Sequence, residues 1–292
     1  MSSLKDYIKE KRPTLSKSSI TTYASILKNL YLKVFGAGDI DFKKYDDYEK
    51  VIKFLNDIPP NKRKTILSAL VIITDKKQYR DLMLSDVRDY NKEIDKQEKT
   101  PEQKESWVDS EQVNDIFKSL KENADLLYKK KKLNINDLQE IQSYIIIALL
   151  GGVFIPPRRS KDFVDFKIKN ITENDNFLDG KTMVFNSYKT SKTYGQQVIP
   201  IDNILLKILK KWIAINPTDY LLFDAHLNPL SSVKLNQRLN KIFSSKKVGV
   251  NQLRHTYLTN KFGDTINKKN EIKETMADMG SSSGMLETYV KK

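Results

Sequence analysis

The sequence predicts a mainly α-helical protein with a small β-sheet or hairpin: an N-terminal helical bundle followed by an α+β half. Three observations predict it. Ile20, Tyr23, Ile26, Leu27, Leu30 and Tyr31 recur at the three- and four-residue spacing of one helical stripe. From Met183 to Pro200, two β-like runs flank a polar turn that carries lysines near its tip. Between these regions, residues 92–102 are almost purely polar, which marks a boundary between two domains. The expected organisation is a bundle over 1–98, a linker over 99–105 and a second domain over 106–292. A length of 292 residues gives each domain enough chain for its own core.

In chain order, Thr14-Leu15-Ser16 precedes the apolar stripe and supplies a hydroxyl to cap its first helix. Further helices are expected near residues 44–56, 61–74 and 78–97. Beyond the linker, Trp107-Val108-Asp109-Ser110 opens another helix, with Asp109 or Ser110 as its cap. The run from Tyr144 to Leu150 is uniformly apolar yet too short to span a bilayer, so it reads as a buried helix. It leads through Gly151-Gly152 and Pro156-Pro157 into a short helix that opens with Arg158 and Arg159. The remainder is expected to be helical apart from the hairpin and the apolar run Leu221-Leu222-Phe223. No internal repeat appears, and no glycine fingerprint for ATP or a dinucleotide, so no cofactor is expected.

Charge narrows the choice of partner. Fifty-one lysines and arginines against 37 acidic residues leave a formal charge of +14, spread through both halves, which favours a polyanion. Nucleic acid is the expected ligand. No apolar run reaches transmembrane length and no secretory pattern opens the chain, so an intracellular location is expected, in cytoplasm or nucleus wherever its DNA lies. Cysteine is absent, which excludes disulfides and thiolate metal sites.

The last forty residues concentrate the chemistry: Arg254-His255-Thr256, then Met279-Gly280-Ser281-Ser282, then Thr288-Tyr289-Val290. A tyrosine near the C-terminus, after a helix carrying an arginine among apolar neighbours, suggests a nucleophile aimed at a phosphodiester. Such a reaction needs fixed cationic donors around the non-bridging oxygens, and the planar guanidinium fork suits them best. Lysine, a mobile point charge, suits proton delivery. A phenol attacks at neutral pH only where neighbouring cations favour its ionised form. Upstream, Arg158 and Arg159 both qualify as phosphate clamps. Asp162 lies one helical turn after Arg159 and so would orient that guanidinium, while Arg158 has no such partner. Register leaves either Lys189 or Lys192 able to face the groove. His255, about 100° around the helix from Arg254, reads as a structural donor packed behind the site.

Taken in order, arginine, hairpin lysine, Leu253-Arg254-His255-Thr256, Gly280-Ser281-Ser282 and Tyr289, residues 105–292 resemble the phage-integrase-like tyrosine recombinases. Their pattern is an arginine with an acidic residue three later, Lys-Thr-x-Lys on a hairpin, His-x-Leu-Arg-His-Thr, Leu-Gly-His-Ser and a final tyrosine. The resemblance implies an integrase-like catalytic domain. It casts Arg159 and Arg254 as the arginines, Lys189 as general acid and Tyr289 as nucleophile. Asn251 and Ser281 stand where the family has two histidines; both can hydrogen-bond a phosphate oxygen, but neither can act as an imidazole base. The layout resembles that of recombinases in the first half too, where Leu15 to Tyr23 looks like the opening helix of a core-binding domain that closes with the catalytic domain around a duplex.

The resemblance implies metal- and ATP-independent cutting and rejoining of double-stranded DNA through a 3′-phosphotyrosyl bond, by a homo-oligomer, a tetramer, serving a mobile element or virus. A type IB topoisomerase and a catalytically weak DNA-binding relative are the alternatives. Lys17, Lys62, Arg63 and Lys64 at helix starts, with Arg158 and Lys192, are the expected DNA contacts.

Overall fold

The computed structural model of the chain describes residues 3–244 and 246–291 and separates into two compact units after Lys99. The first unit is helical: α1 (Leu4–Lys11), α2 (Lys17–Phe35), a 3-10 turn at Phe42–Asp46, then α3 (Tyr48–Leu55), α4 (Pro60–Thr74) and α5 (Lys77–Asp95). The Ser16 hydroxyl caps α2 by accepting from the Ser19 N–H at 3.1 Å. Ile20, Leu27, Leu30 and Tyr31 are buried, with Tyr23 and Ile26 packed at the edge of the same core. Two buried phenols satisfy their hydroxyls on backbone carbonyls, Tyr45 on Leu27 and Tyr79 on Tyr45, both at 2.8 Å. Their rings therefore fill the core without an orphaned donor.

The second unit comprises α6 (Pro101–Ser106), α7 (Ser110–Leu127), α8 (Ile135–Leu150), α9 (Ser160–Val164), β1 (Phe166–Lys167), β2 (Asn176–Asp179), β3 (Thr182–Phe185), α10 (Ser191–Tyr194), β4 (Gln197–Pro200), α11 (Asn203–Ile215), α12 (Ser232–Ile242), α13 (Val250–Asp278) and α14 (Leu286–Tyr289). Asp109 is the cap of α7, in a reciprocal pair with Gln112. Helix α8 is buried along almost its whole length, as an all-round apolar helix must be, and forms the centre of the core. The expected linker is partly ordered: α5 runs to Asp95, and Thr100 caps α6 through Gln103.

The sheet has the order β1-β2-β3-β4, with β1 parallel to β2 and the other pairs antiparallel. The expected hairpin is β3–β4, with Phe185 opposite Gln197, and its tip contains the single helical turn α10. The sequence reading did not anticipate β1 and β2. Both are short and lie among polar residues, so their pairing depends on the neighbouring hairpin more than on local pattern.

Candidate functional site

A cavity of about 570 Å³ opens between the segment before α9, the hairpin tip and the first turns of α13. Arg158, Arg159 and Arg254 all line it. Loop conformation explains why the first two converge here. Gly152 adopts φ +77, a left-handed region favourable only to glycine, and a Cβ there would lie 2.5 Å from the Tyr257 ring. The chain leaving α8 can thus press directly on α13, one turn from Arg254. The start of α13 is held independently: the Val250 N–H donates to the Asn236 side chain, and the Thr256 hydroxyl donates to the Val108 carbonyl at 2.5 Å.

The three guanidinia differ in their partners. Arg158 donates Nε to Asp162 Oδ2 and Nη1 to Gln197 Oε1, both at 2.8 Å, and its guanidinium lies 4.0 Å from the centre of the Phe185 ring. This corrects the expectation that Asp162 orients Arg159 and that Arg158 is without a partner. The physical reason is that α9 begins only at Ser160; Arg159 is its extended N-cap (ψ 154), so helical facing rules do not extend back to either arginine. Arg159 and Arg254 have no hydrogen-bond or ion-pair partner among the described residues. Asp162 is only 2 % exposed. Burial is the largest influence on its carboxyl and pushes its pKa above the ordinary value, while Arg158, Arg159 and Arg254 pull it back down. Three guanidinia against one carboxylate leave the cavity strongly cationic.

One residue that sequence reasoning missed holds the two sides of the site together. Asn176, fully buried in β2, donates Nδ2 to the carbonyls of Asp162 and Ser187 at 3.0 and 2.8 Å, and its Oδ1 accepts from the N–H groups of Asn186 and Ser187. Every hydrogen-bonding position of that amide is used, and it ties α9, the helix of Asp162, to the lysine-bearing tip. The available signal was an asparagine beside an apolar strand run. At the tip, the Tyr188 hydroxyl donates to the Gly195 carbonyl at 2.7 Å, bracing the end of α10. Tyr188, Thr190, Tyr194 and Gln197 line the cavity, although none had been a candidate.

The other expected site residues lie elsewhere. Lys189 is exposed, between the cavity-lining Tyr188 and Thr190, and Lys192 is exposed on α10. Asn251 is exposed on the first turn of α13. His255 is exposed as well, which corrects its expected packing behind the site; the buried neighbour is Thr256. Ser281 sits past the end of α13, where Gly280 (φ +70) turns the chain and the Ser281 N–H closes on the Met276 carbonyl. Tyr289 ends α14, 57 % exposed, and does not line the cavity. At a rise of about 1.5 Å per residue, the end of α13 at Asp278 lies about 36 Å along the helix from Arg254.

In the first unit, Lys17 and Lys62 are exposed on the opening turns of α2 and α4. Arg63, also expected on DNA, instead forks onto the buried Asp86 of α5, Nε to Oδ2 at 2.9 Å and Nη2 to Oδ1 at 2.7 Å. Its charge is spent on joining α4 to α5. Lys64 places its ammonium 2.9 Å from the centre of the Tyr90 ring. Among the described residues no helix is long and apolar enough to cross a membrane, and no group of three or more His, Asp or Glu side chains converges to hold a metal ion.

No known family description matches the chain, and no curated protein matches it in sequence. Among solved structures, it is similar to a XerA recombinase (TM-score 0.34, 15 % identity, covering 87 % of this chain and 83 % of that one). It is also similar to lambda integrase, seen as a dimer bound to a COC′ core site (TM-score 0.48, 14 % identity, 88 % and 68 % covered). A third likeness is to the XerH site-specific recombinase bound to its difH substrate before cleavage (TM-score 0.40, 13 % identity, 89 % and 85 % covered). At such identities and scores, these likenesses assign neither an activity nor a residue role to this chain.

Proposed function

We propose that the protein cuts and rejoins DNA as a site-specific recombinase or integrase, through a 3′-phosphotyrosyl intermediate. The observation that carries this reading is the pair Arg159 and Arg254, two guanidinia without a hydrogen-bond or ion-pair partner among the described residues, lining one cavity beside a third that is locked in place. Preorganised cations of this kind stabilise the charge that builds on a phosphodiester under attack. In the proposed reaction the Tyr289 oxygen forms a bond to phosphorus as the bond to the 5′-oxygen breaks. The phenolic proton leaves to solvent, and Lys189 protonates the departing oxygen. Attack by a free 5′-hydroxyl then reverses the step and releases the tyrosine, so the ester conserves the bond without metal or nucleotide. Because Tyr289 stands outside the cavity, it must be delivered there by a swing of the chain beyond α13 or by a neighbouring copy in a tetramer on DNA. Lys17 and Lys62 are the proposed phosphate contacts of the first unit.

A second reading, a DNA-binding relative with weak or no chemistry, draws on the exposed positions of Lys189, Asn251 and Tyr289. Incubation with a nicked suicide duplex, followed by denaturing electrophoresis, separates the two. A covalent adduct formed by the native chain and absent from Tyr289→Phe is the expected result. An adduct that persists in the variant would move the nucleophile elsewhere, and binding with no adduct would favour the second reading. Relaxation of supercoiled plasmid by the monomer would instead favour a type IB topoisomerase.

A further inference from the structure

The cavity is built for more than a phosphate. Its lining is mixed: beside the guanidinia it presents Pro156, Pro157 and Ile199, and on its rim stands Tyr194. Apolar walls give nothing to a phosphate group, but they suit the rest of a nucleotide. Tyr194 is 68 % exposed, and its hydroxyl has no hydrogen-bond partner among the described residues. An aromatic ring left this open costs solvation and gains no packing, yet its backbone is firmly held. The Tyr194 N–H donates to the Thr190 carbonyl, Gly195 at φ +65 reverses the chain, and Tyr188 clasps the Gly195 carbonyl. The Gln196 side chain, bonded to Asn186 at 2.8 Å, closes the tip behind it. A ring presented on a braced support loses little conformational freedom when it stacks.

Resting on the proposed DNA reading, we propose that this cavity is a nucleotide site, in which Arg159 and Arg254 take the phosphate and Tyr194 stacks on the base of the adjoining nucleotide. A base can meet that ring only when it is out of the duplex stack, so the preferred ligand is a strand unpaired beside the bound phosphate, as at a nick or a melted step. Stacking of this kind is tolerant of sequence, since every base has a π face.

The test compares two single-stranded octamers, oligodeoxythymidylate and an abasic strand of the same length, by fluorescence anisotropy at one salt concentration. All phosphates are kept in the abasic strand and all bases removed, and identical units make register irrelevant. The native chain should prefer the base-bearing strand by about tenfold, in the range of one stacked base. That preference should collapse towards unity in Tyr194→Ala and survive in Tyr194→Phe. The exposed position of Tyr194 leaves the core of the variant intact, which circular dichroism checks. A preference unchanged in Tyr194→Ala, or lost equally in Tyr194→Phe, overturns the inference. Binding of duplex DNA with no preference between octamers overturns it too, but leaves the broader functional reading standing. Failure of the native chain to bind duplex or octamer overturns both.

Discussion

The two ends of α13 are built on different principles. Its first two turns bury Leu253 and Thr256, press Tyr257 against Gly152 and hold Arg254 at the cavity. Beyond Tyr257, the helix exposes Leu258, Phe262 and Ile266, four residues apart on one face, before reaching the segment that carries Tyr289. Gly263 lies within that exposed stretch, and a Cβ added there would meet nothing within 4 Å. The arginine-lined cavity thus lies at the packed end of the helix, while Tyr289 follows its more exposed end. On the proposed reading, charge stabilisation would come from the packed end of the helix, and Tyr289 would have to be delivered by an additional event.

The largest expected effect tests the cationic end. Arg254→Ala should lower adduct formation on the suicide duplex by about two to three orders of magnitude. Its thermal midpoint should stay near the native value, because among the described residues the side chain has no hydrogen bond or ion pair to lose, only a minor electrostatic influence on Asp162. A parallel drop in thermal stability would mean Arg254 serves the core rather than the ligand. Arg158→Ala should behave in the opposite sense. Removing the partner of the buried Asp162 should destabilise the second unit by about 3 kcal/mol in denaturant titration. Native-like stability in this variant would contradict the division of labour between the two neighbouring arginines.

Asn176→Ala should cost about 2 kcal/mol, since it strands buried backbone groups on both sides of the site. Adduct formation should fall as well, as the hairpin tip loosens relative to α9. Normal cleavage by a destabilised variant would show that this amide supports the fold but does not position the site. The smallest effect belongs to the far end of α13. Gly263→Ala should stabilise the helix locally by up to about 1 kcal/mol, read as slower amide hydrogen exchange over residues 258–275. If exchange there does not change, the helix is not continuous through Gly263 in solution, and the separation of Tyr289 from Arg254 is smaller than its length implies.

Local features were legible in the sequence wherever a side chain acts on its own backbone or on one helical face. Ser16 and Asp109 cap helices because their oxygens reach an N–H a few residues on, and the stripe from Ile20 to Tyr31 is buried because helical period aligns it. The arginines singled out in the sequence do share one cavity in the structure. Partner choice was not legible. Spacing favoured Arg159 for Asp162, but the helix starts one residue too late for that rule to apply. Arg63 likewise read as a free cation because Asp86 lies twenty-three residues away, on another helix. The bridging contacts of Asn176 and Gln197 left almost no pattern, since they join segments distant in the chain.

By itself, then, the sequence determined the helical and hairpin elements, the excess of positive charge and the presence of arginines ahead of α9 and in α13. Those properties follow from periodicity, capping chemistry and composition, all of which act over a few residues or over the chain as a whole. Only tertiary structure decided which arginine is locked and which have no hydrogen-bond partner among the described residues, that a tyrosine of the hairpin tip stands at the cavity, and that Tyr289 does not line it. Each of these depends on where a helix begins or how far it continues, and a shift of one residue or one uninterrupted helix redirects side chains through many ångströms.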